Sequence, residues 1–218
     1  MNYFFGPHNT VAIHPFYKIA VTHANTTLKN HYRPDNSSWH VVDYDPATGK
    51  VNAKLTAQGY ADYSAWARGQ AWGLYGYVVM YRSTKDPKYL VQANKIANFI
   101  MNNPTLPADK IPYWDYNSPD IPATYRDASA ASIAASALLE LSKYVDTKKS
   151  QYYISFAEQT ISALASRTYT APVGENGGFI LKHSTGNLPG SSEVDVPLTY
   201  ADYYYIEAMM RYKALGKK

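Results

Sequence analysis

The fifteen residues from Gln58 to Trp72 hold most of the chemistry in this chain. They read Gln58-Gly-Tyr-Ala-Asp-Tyr-Ser-Ala-Trp-Ala-Arg-Gly-Gln-Ala-Trp72 and set Gln58, Asp62, Arg68 and Gln70 among the rings of Tyr60, Tyr63, Trp66 and Trp72. Flat aromatic faces stack on the C–H faces of sugar rings, and fixed amide and guanidinium donors read hydroxyls and carboxylates. Arg in particular pairs two-pronged with a carboxylate. Rings plus an Arg therefore point to an acidic sugar rather than a neutral one. The same pattern also fits a buried helix start whose aromatics are core.

Alternating helices must position these groups. Phe16, Ile19, Ala20, His23, Ala24, Thr27 and Leu28 recur at i, i+3, i+4 and i+7, the stripe of an amphipathic helix. Tyr89, Ala93, Ile96, Ala97 and Ile100 repeat it after Asp86-Pro87, a cap and a first-turn Pro. Tyr153, Phe156, Ala157, Thr160, Ile161 and Leu164 repeat it again. Between them, residues 64–82, 127–143 and 198–211 are apolar or small nearly all round, which predicts buried helices. The order is outer, inner, outer, inner, outer, inner, so the expected fold is all-α, three helical hairpins of a layered (α/α) toroid.

Loop lengths locate a working face. Inner-to-outer links are short, whereas 34–62, 104–126 and 167–197 are long. In an alternating toroid all long loops emerge at one end, and loops of this length are usually functional. His40, Gln58, Trp114, Asp115, Arg126, Glu175 and His183 lie within them. Residues 39–44 and 50–55 flank Asp45-Pro-Ala-Thr-Gly49, which predicts a β-hairpin bringing Trp39 and His40 to the rim. Asp115 and Asp127 stand before helices and suit capping or loop hydrogen bonds.

Composition narrows the class. At 218 residues the chain can build one sizeable core, and 46% hydrophobic content excludes disorder. A net charge of +4 without a basic stripe argues against nucleic acid as a partner. No apolar run reaches membrane-span length, so no membrane partner is expected. The start lacks the basic and long apolar regions of a signal peptide, which leaves a cytoplasmic chain as given, with a periplasmic parent open. There is no Cys, and the six His form no cluster with carboxylates, so neither metal nor cofactor is expected.

Several segments together resemble the unsaturated glucuronyl hydrolases, glycoside hydrolase family 88. Besides the stretch ending at Trp72 they are His40-Val-Val-Asp-Tyr-Asp-Pro46, Pro112-Tyr-Trp-Asp115, Arg126-Asp-Ala-Ser-Ala-Ala131, Glu175-Asn-Gly-Gly-Phe179 and Tyr200-Ala-Asp-Tyr-Tyr204. The resemblance implies a six-hairpin (α/α) toroid, of which this chain would form about half. It implies action on the 4,5-unsaturated uronic acid that polysaccharide lyases leave at the non-reducing end of oligosaccharides. Water adds across the vinyl ether under a single Asp acting as acid and base, an exception to the usual carboxylate pair. Position by position it makes His40, Gln58, Arg68 and Trp72 the sugar-site residues: Arg68 paired with or close to the uronate, Trp72 stacking, Gln58 and His40 hydrogen-bonding near the reacting carbons.

The chain departs from the family at three places. Ala57 stands where many relatives have His, and Tyr63 where they often have an acidic residue. Residues 1–15 hold no Asp or Glu and do not continue the family pattern. The family's acid/base Asp lies upstream of the matching region, so the expectation is a C-terminal part, residues 16–218, that lacks its general acid. An inactive acidic-sugar-binding remnant and a helical scaffold that docks a protein remain alternatives, and exposed inner-helix faces would favour self-association.

Overall fold

The computed structural model describes residues 15–216, so the atypical segment 1–15 lies almost wholly outside the described residues. Among the described residues two strands and six α-helices follow one another: α1 (Pro15–Asn30), β1 (Val41–Tyr44), β2 (Val51–Leu55), α2 (Ala67–Thr84), α3 (Pro87–Met101), α4 (Ala128–Leu141), α5 (Thr147–Leu164) and α6 (Thr199–Ala214). Among the described residues α1–α2, α3–α4 and α5–α6 form three hairpins. The inner helices α2, α4 and α6 pack side by side, with α3 against α2 and α5 against α4. This is the (α/α) toroid arrangement expected from the helix periodicity.

Sequence explains the two kinds of helix. Asp86 caps α3 by accepting from Lys88 N at 3.1 Å with Pro87 in the first turn, and Asp146 caps α5 by accepting from Lys149 N at 3.0 Å. α3 turns Tyr89, Ala93, Ile96, Ala97 and Ile100 inward onto Leu74, Tyr77 and Val78 of α2 and Leu138 and Leu139 of α4. Every residue of α4 is buried. Its Ala and Ser residues let neighbouring helices approach closely, and Ser132 returns its hydroxyl to Ala128 O at 2.9 Å.

The other two inner helices are not buried all round, against the expectation from their composition. α4 has an inner neighbour on each side, whereas α2 and α6 end the row. Accordingly Tyr203, Ile206 and Met210 of α6 are exposed. An apolar pattern sets what a face can bury, but the neighbour must be present to bury it.

Polar links tie the inner row at the end away from the long loops. Glu140 of α4 pairs with Arg82 of α2 at 2.9 Å and Arg211 of α6 at 2.8 Å. Glu207 of α6 accepts from Tyr75 and, at 2.5 Å, from Ser136. At the opposite end the long loops are stitched together: Tyr116 N donates to Ala65 O, Ala67 N to Trp114 O, and Ala128 N to His183 O. The two-stranded sheet pairs Val41 with Leu55 and Val42 with Lys54. Asp45 closes its turn by accepting from Ala47 N and Thr48 N, at 2.9 and 2.7 Å. Among the described residues no helix is long and apolar enough to cross a membrane.

Candidate functional site

The loop from Thr56 to Ser64 folds around one buried carboxylate. Asp115, fully buried, accepts from Tyr60 N at 2.9 Å, Ser64 Oγ at 2.6 Å and Asn117 N at 2.9 Å. Gly59 fits beneath because it lacks a side chain: a Cβ there would stand 2.5 Å from Thr56 Oγ1 and 3.1 Å from Asp115 Oδ2. This fold turns the backbone N–H groups of Ala57 and Gln58 onto His40 Nδ1, each at 3.2 Å. The imidazole stacks on the Trp66 indole with ring centres 4.3 Å apart. Burial, and then the charge of Arg68, lower the His40 pKa below its ordinary value and favour the neutral ring.

Arg68 lies in the first turn of α2 and is 3% exposed. Its Nη1 donates to Asp127 Oδ2 at 3.0 Å, Ser129 Oγ at 3.3 Å and Thr185 O at 2.7 Å, and its Nη2 to Gly186 O at 2.6 Å. Gln58 Nε2 reaches the same Gly186 carbonyl at 3.0 Å. Gly186 leaves room for Glu193: a Cβ there would run into that side chain. The guanidinium also sits 4.5 Å from the Trp66 ring centre and 5.4 Å from that of Tyr200. Both terminal nitrogens thus already serve protein acceptors. The direct pairing with a uronate that the family resemblance suggested finds no exposed fork here, and the residue is close to the wall rather than on its surface.

One helical turn on, Trp72 is half-buried and meets the edge of Tyr204 at 5.1 Å between ring centres. Trp72, Trp66, His40 and Trp39 line a cavity of about 610 Å³ between α1 and α2. Gln70 points the other way and fixes the loop before His40, accepting from Ser38 N at 2.7 Å. Of the four family-matched residues, His40, Gln58 and Arg68 are therefore joined through Trp66 and Gly186, and Trp72 shares the cavity wall with His40.

The remaining loop residues fall elsewhere. Asp127 caps α4, accepting from Ser129 N at 3.0 Å, and Asp115 organises its loop, as read from the sequence. Trp114 is buried and bonds Thr124. Arg126 pairs with Asp109 at 2.6 Å and His183 with Asp195 at 2.6 Å, while Glu175 is exposed. Sequence reasoning missed Gly186 and Tyr200 as the neighbours that hold Arg68 and Gln58. Tyr200 had a signal in its Tyr-rich segment; a backbone carbonyl at Gly186 has none.

No family model matches the chain. It is 50% identical over 196 residues to an unsaturated glucuronyl hydrolase of Formosa agariphila, covering 90% of this chain and 48% of that protein. It is 35% identical over 198 residues to an unsaturated chondroitin disaccharide hydrolase of Streptococcus agalactiae, covering 89% and 49%. A crystal structure of an unsaturated glucuronyl hydrolase specific for heparin superposes with a TM-score of 0.90 at 53% identity, covering 92% of this chain and 54% of that one. The chain spans about half the length of the curated relatives it matches.

Proposed function

We propose, from the premise that this chain belongs to the unsaturated glucuronyl hydrolases of glycoside hydrolase family 88, that it supplies the sugar-holding wall for a 4,5-unsaturated uronic acid at the non-reducing end of an oligosaccharide. The observation that carries this reading is the convergence of His40, Trp66, Arg68 and Gln58 on one fixed assembly beside the cavity that Trp72 lines. Trp72 stacks on the sugar, and His40 and Gln58 meet its oxygens. Arg68 keeps the Gly186 loop in place and adds a positive field for the uronate.

The reaction served is hydration of the vinyl ether. A proton adds to C4 of the double bond, water adds its oxygen to C5, and the resulting hemiketal opens to release the next sugar. Asp115 and Asp127 do not serve as the acid, because both are fully buried and held by their own hydrogen-bond donors. The family resemblance puts the acid/base Asp in the part of the relatives that this chain does not match. Binding without turnover is therefore the expected behaviour of the chain by itself. The exposed face of α6 is the surface on which further protein, including a second copy, would associate.

Calorimetry with an unsaturated uronyl disaccharide and its saturated counterpart tests the reading, alongside the ultraviolet absorbance of the double bond. Preferential binding of the unsaturated sugar, weakened about tenfold or more by Trp72→Ala, is expected. A folded chain that binds neither sugar overturns it.

A further inference from the structure

Two local rules are broken at Trp66. It occupies the N-cap of α2, where Ser, Thr, Asp or Asn would satisfy the first-turn N–H groups, and makes no side-chain cap bond. Its Nε1 is also buried without a hydrogen-bond partner among the described residues. A residue that forgoes the cap and buries an unpaired donor weakens its own helix start. Such violations concentrate where a side chain serves a site.

What the indole does instead is visible. Its backbone is pinned by the Ala67–Trp114 and Tyr116–Ala65 hydrogen bonds on either side, and Gly69 closes on it so tightly that a Cβ would stand 3.0 Å from Cε3. Against this plate lie the His40 ring at 4.3 Å and the Arg68 guanidinium at 4.5 Å. The plate fixes the plane of the imidazole, and in that plane Nδ1 lies in reach of the Ala57 and Gln58 backbone.

Nδ1 meets donors. The N–H groups of Ala57 and Gln58 both point at it, and a backbone N–H can only donate. Thr56 Oγ1, also 3.2 Å away, accepts from Gly59 N and retains its own proton to give to the ring. A proton on Nδ1 would face two N–H groups at short range. The ring must therefore carry its proton on Nε2.

We propose that Trp66 is a positioning residue that holds His40 in one neutral tautomer, N–H on Nε2, so that His40 gives the site a fixed hydrogen-bond donor rather than a proton to transfer. The tautomer stands independently of the proposed function. Only the identity of the accepting atom, an oxygen of the unsaturated uronic acid, rests on that reading.

Long-range proton–nitrogen NMR of the chain labelled in its histidines tests this, with His40→Gln assigning the His40 signals by their loss. A pyridine-like Nδ1 and a pyrrole-like Nε2 are expected from about pH 8 to about pH 6, across the ordinary histidine range. Trp66→Phe, which keeps a flat plate, retains the pattern; Trp66→Leu mixes the tautomers and lets the ring protonate within that range. A pyrrole-like Nδ1 or an imidazolium in the unmodified chain near neutrality overturns the proposal, and so does an unmixed pattern in Trp66→Leu. Should the tautomer be as stated while the unsaturated disaccharide fails to bind, the positioning role holds and the proposed function falls.

Discussion

Arg68→Ala is the substitution whose cost the structure constrains most tightly. It removes donors from Asp127, Ser129, Thr185 O and Gly186 O and leaves Asp127 as a carboxylate with no exposed surface. Removing one partner of a buried ion pair costs about 3–5 kcal/mol, because the survivor is neither hydrated nor paired. Asp127 keeps Ser129 N at 3.0 Å and Ser129 Oγ at 2.6 Å, and Gly186 O keeps the Gln58 amide, so the lower part of that range applies, about 3–4 kcal/mol. Arg68→Met combined with Asp127→Asn removes both charges while the Asn oxygen continues to cap α4. Its expected cost is at least about 1 kcal/mol less than that of Arg68→Ala alone. Urea unfolding at constant slope measures both. A loss below about 1 kcal/mol for Arg68→Ala, or a double variant no better than the single one, would refute the reasoning. Arg68 would then be a guanidinium held in reserve for a ligand.

Other consequences can be checked in the same way. Gly186→Ala pushes a methyl group into Glu193 and should cost about 1–3 kcal/mol; adding Glu193→Gly, which also removes the clashing Cβ, should recover part of it in the melting temperature. Glu140→Ala leaves Arg211, which is 14% exposed, without its main partner at the far end of the inner row. Arg211 keeps Glu207 at 3.3 Å and Ser136 O at 2.8 Å, and Arg82 is 41% exposed and can hydrate, so a loss of about 1–3 kcal/mol is expected. Acid should weaken the fold through histidine. Burial lowers the pKa of His31 first, followed by His23 and Lys54, and burial followed by Arg68 lowers that of His40, both from an ordinary 6.5. Just below that value the unfolded chain binds more protons than the folded one, so stability present above about pH 6.5 is lost as pH falls toward the folded-state values. His40→Gln should shrink the fall in urea midpoint between about pH 7 and about pH 5.5, and an unchanged fall would contradict the assignment.

What could be read from the sequence was what local periodicity determines. The stripes starting at Phe16, Tyr89 and Tyr153 give α1, α3 and α5, because a period of 3.6 is enforced by the backbone whatever lies opposite. The turn at Asp45 was legible for the same reason, its carboxylate bonding within three residues. Contacts distant in sequence were not. Nothing near Arg68 says that its partners are Asp127, Thr185 and Gly186, and every residue has a carbonyl, so Gly186 carries no mark of its role. The exposed face of α6 was hidden for a related reason, since composition states what a helix can bury and only the neighbours decide what it does bury.

The density of the Gln58–Trp72 stretch has a mechanical explanation that the sugar-stacking reading did not contain. Its residues face in different directions, and each secures a different long segment to the start of α2. Gln70 holds Ser38 in the loop leading to His40, Trp66 holds the His40 ring, Arg68 holds Asp127 before α4, and Gln58 with Arg68 holds Gly186 in the loop before α6. Of the stretch itself Trp66, Gly69 and Trp72 border the cavity, beside His40. A wall assembled from three loops must be fixed to a common frame if its donors are to keep the spacing that the proposed function requires of them. The motif is that frame. This is why a chain spanning about half of its relatives' length can hold His40, Gln58 and Trp72 in register within its own three hairpins.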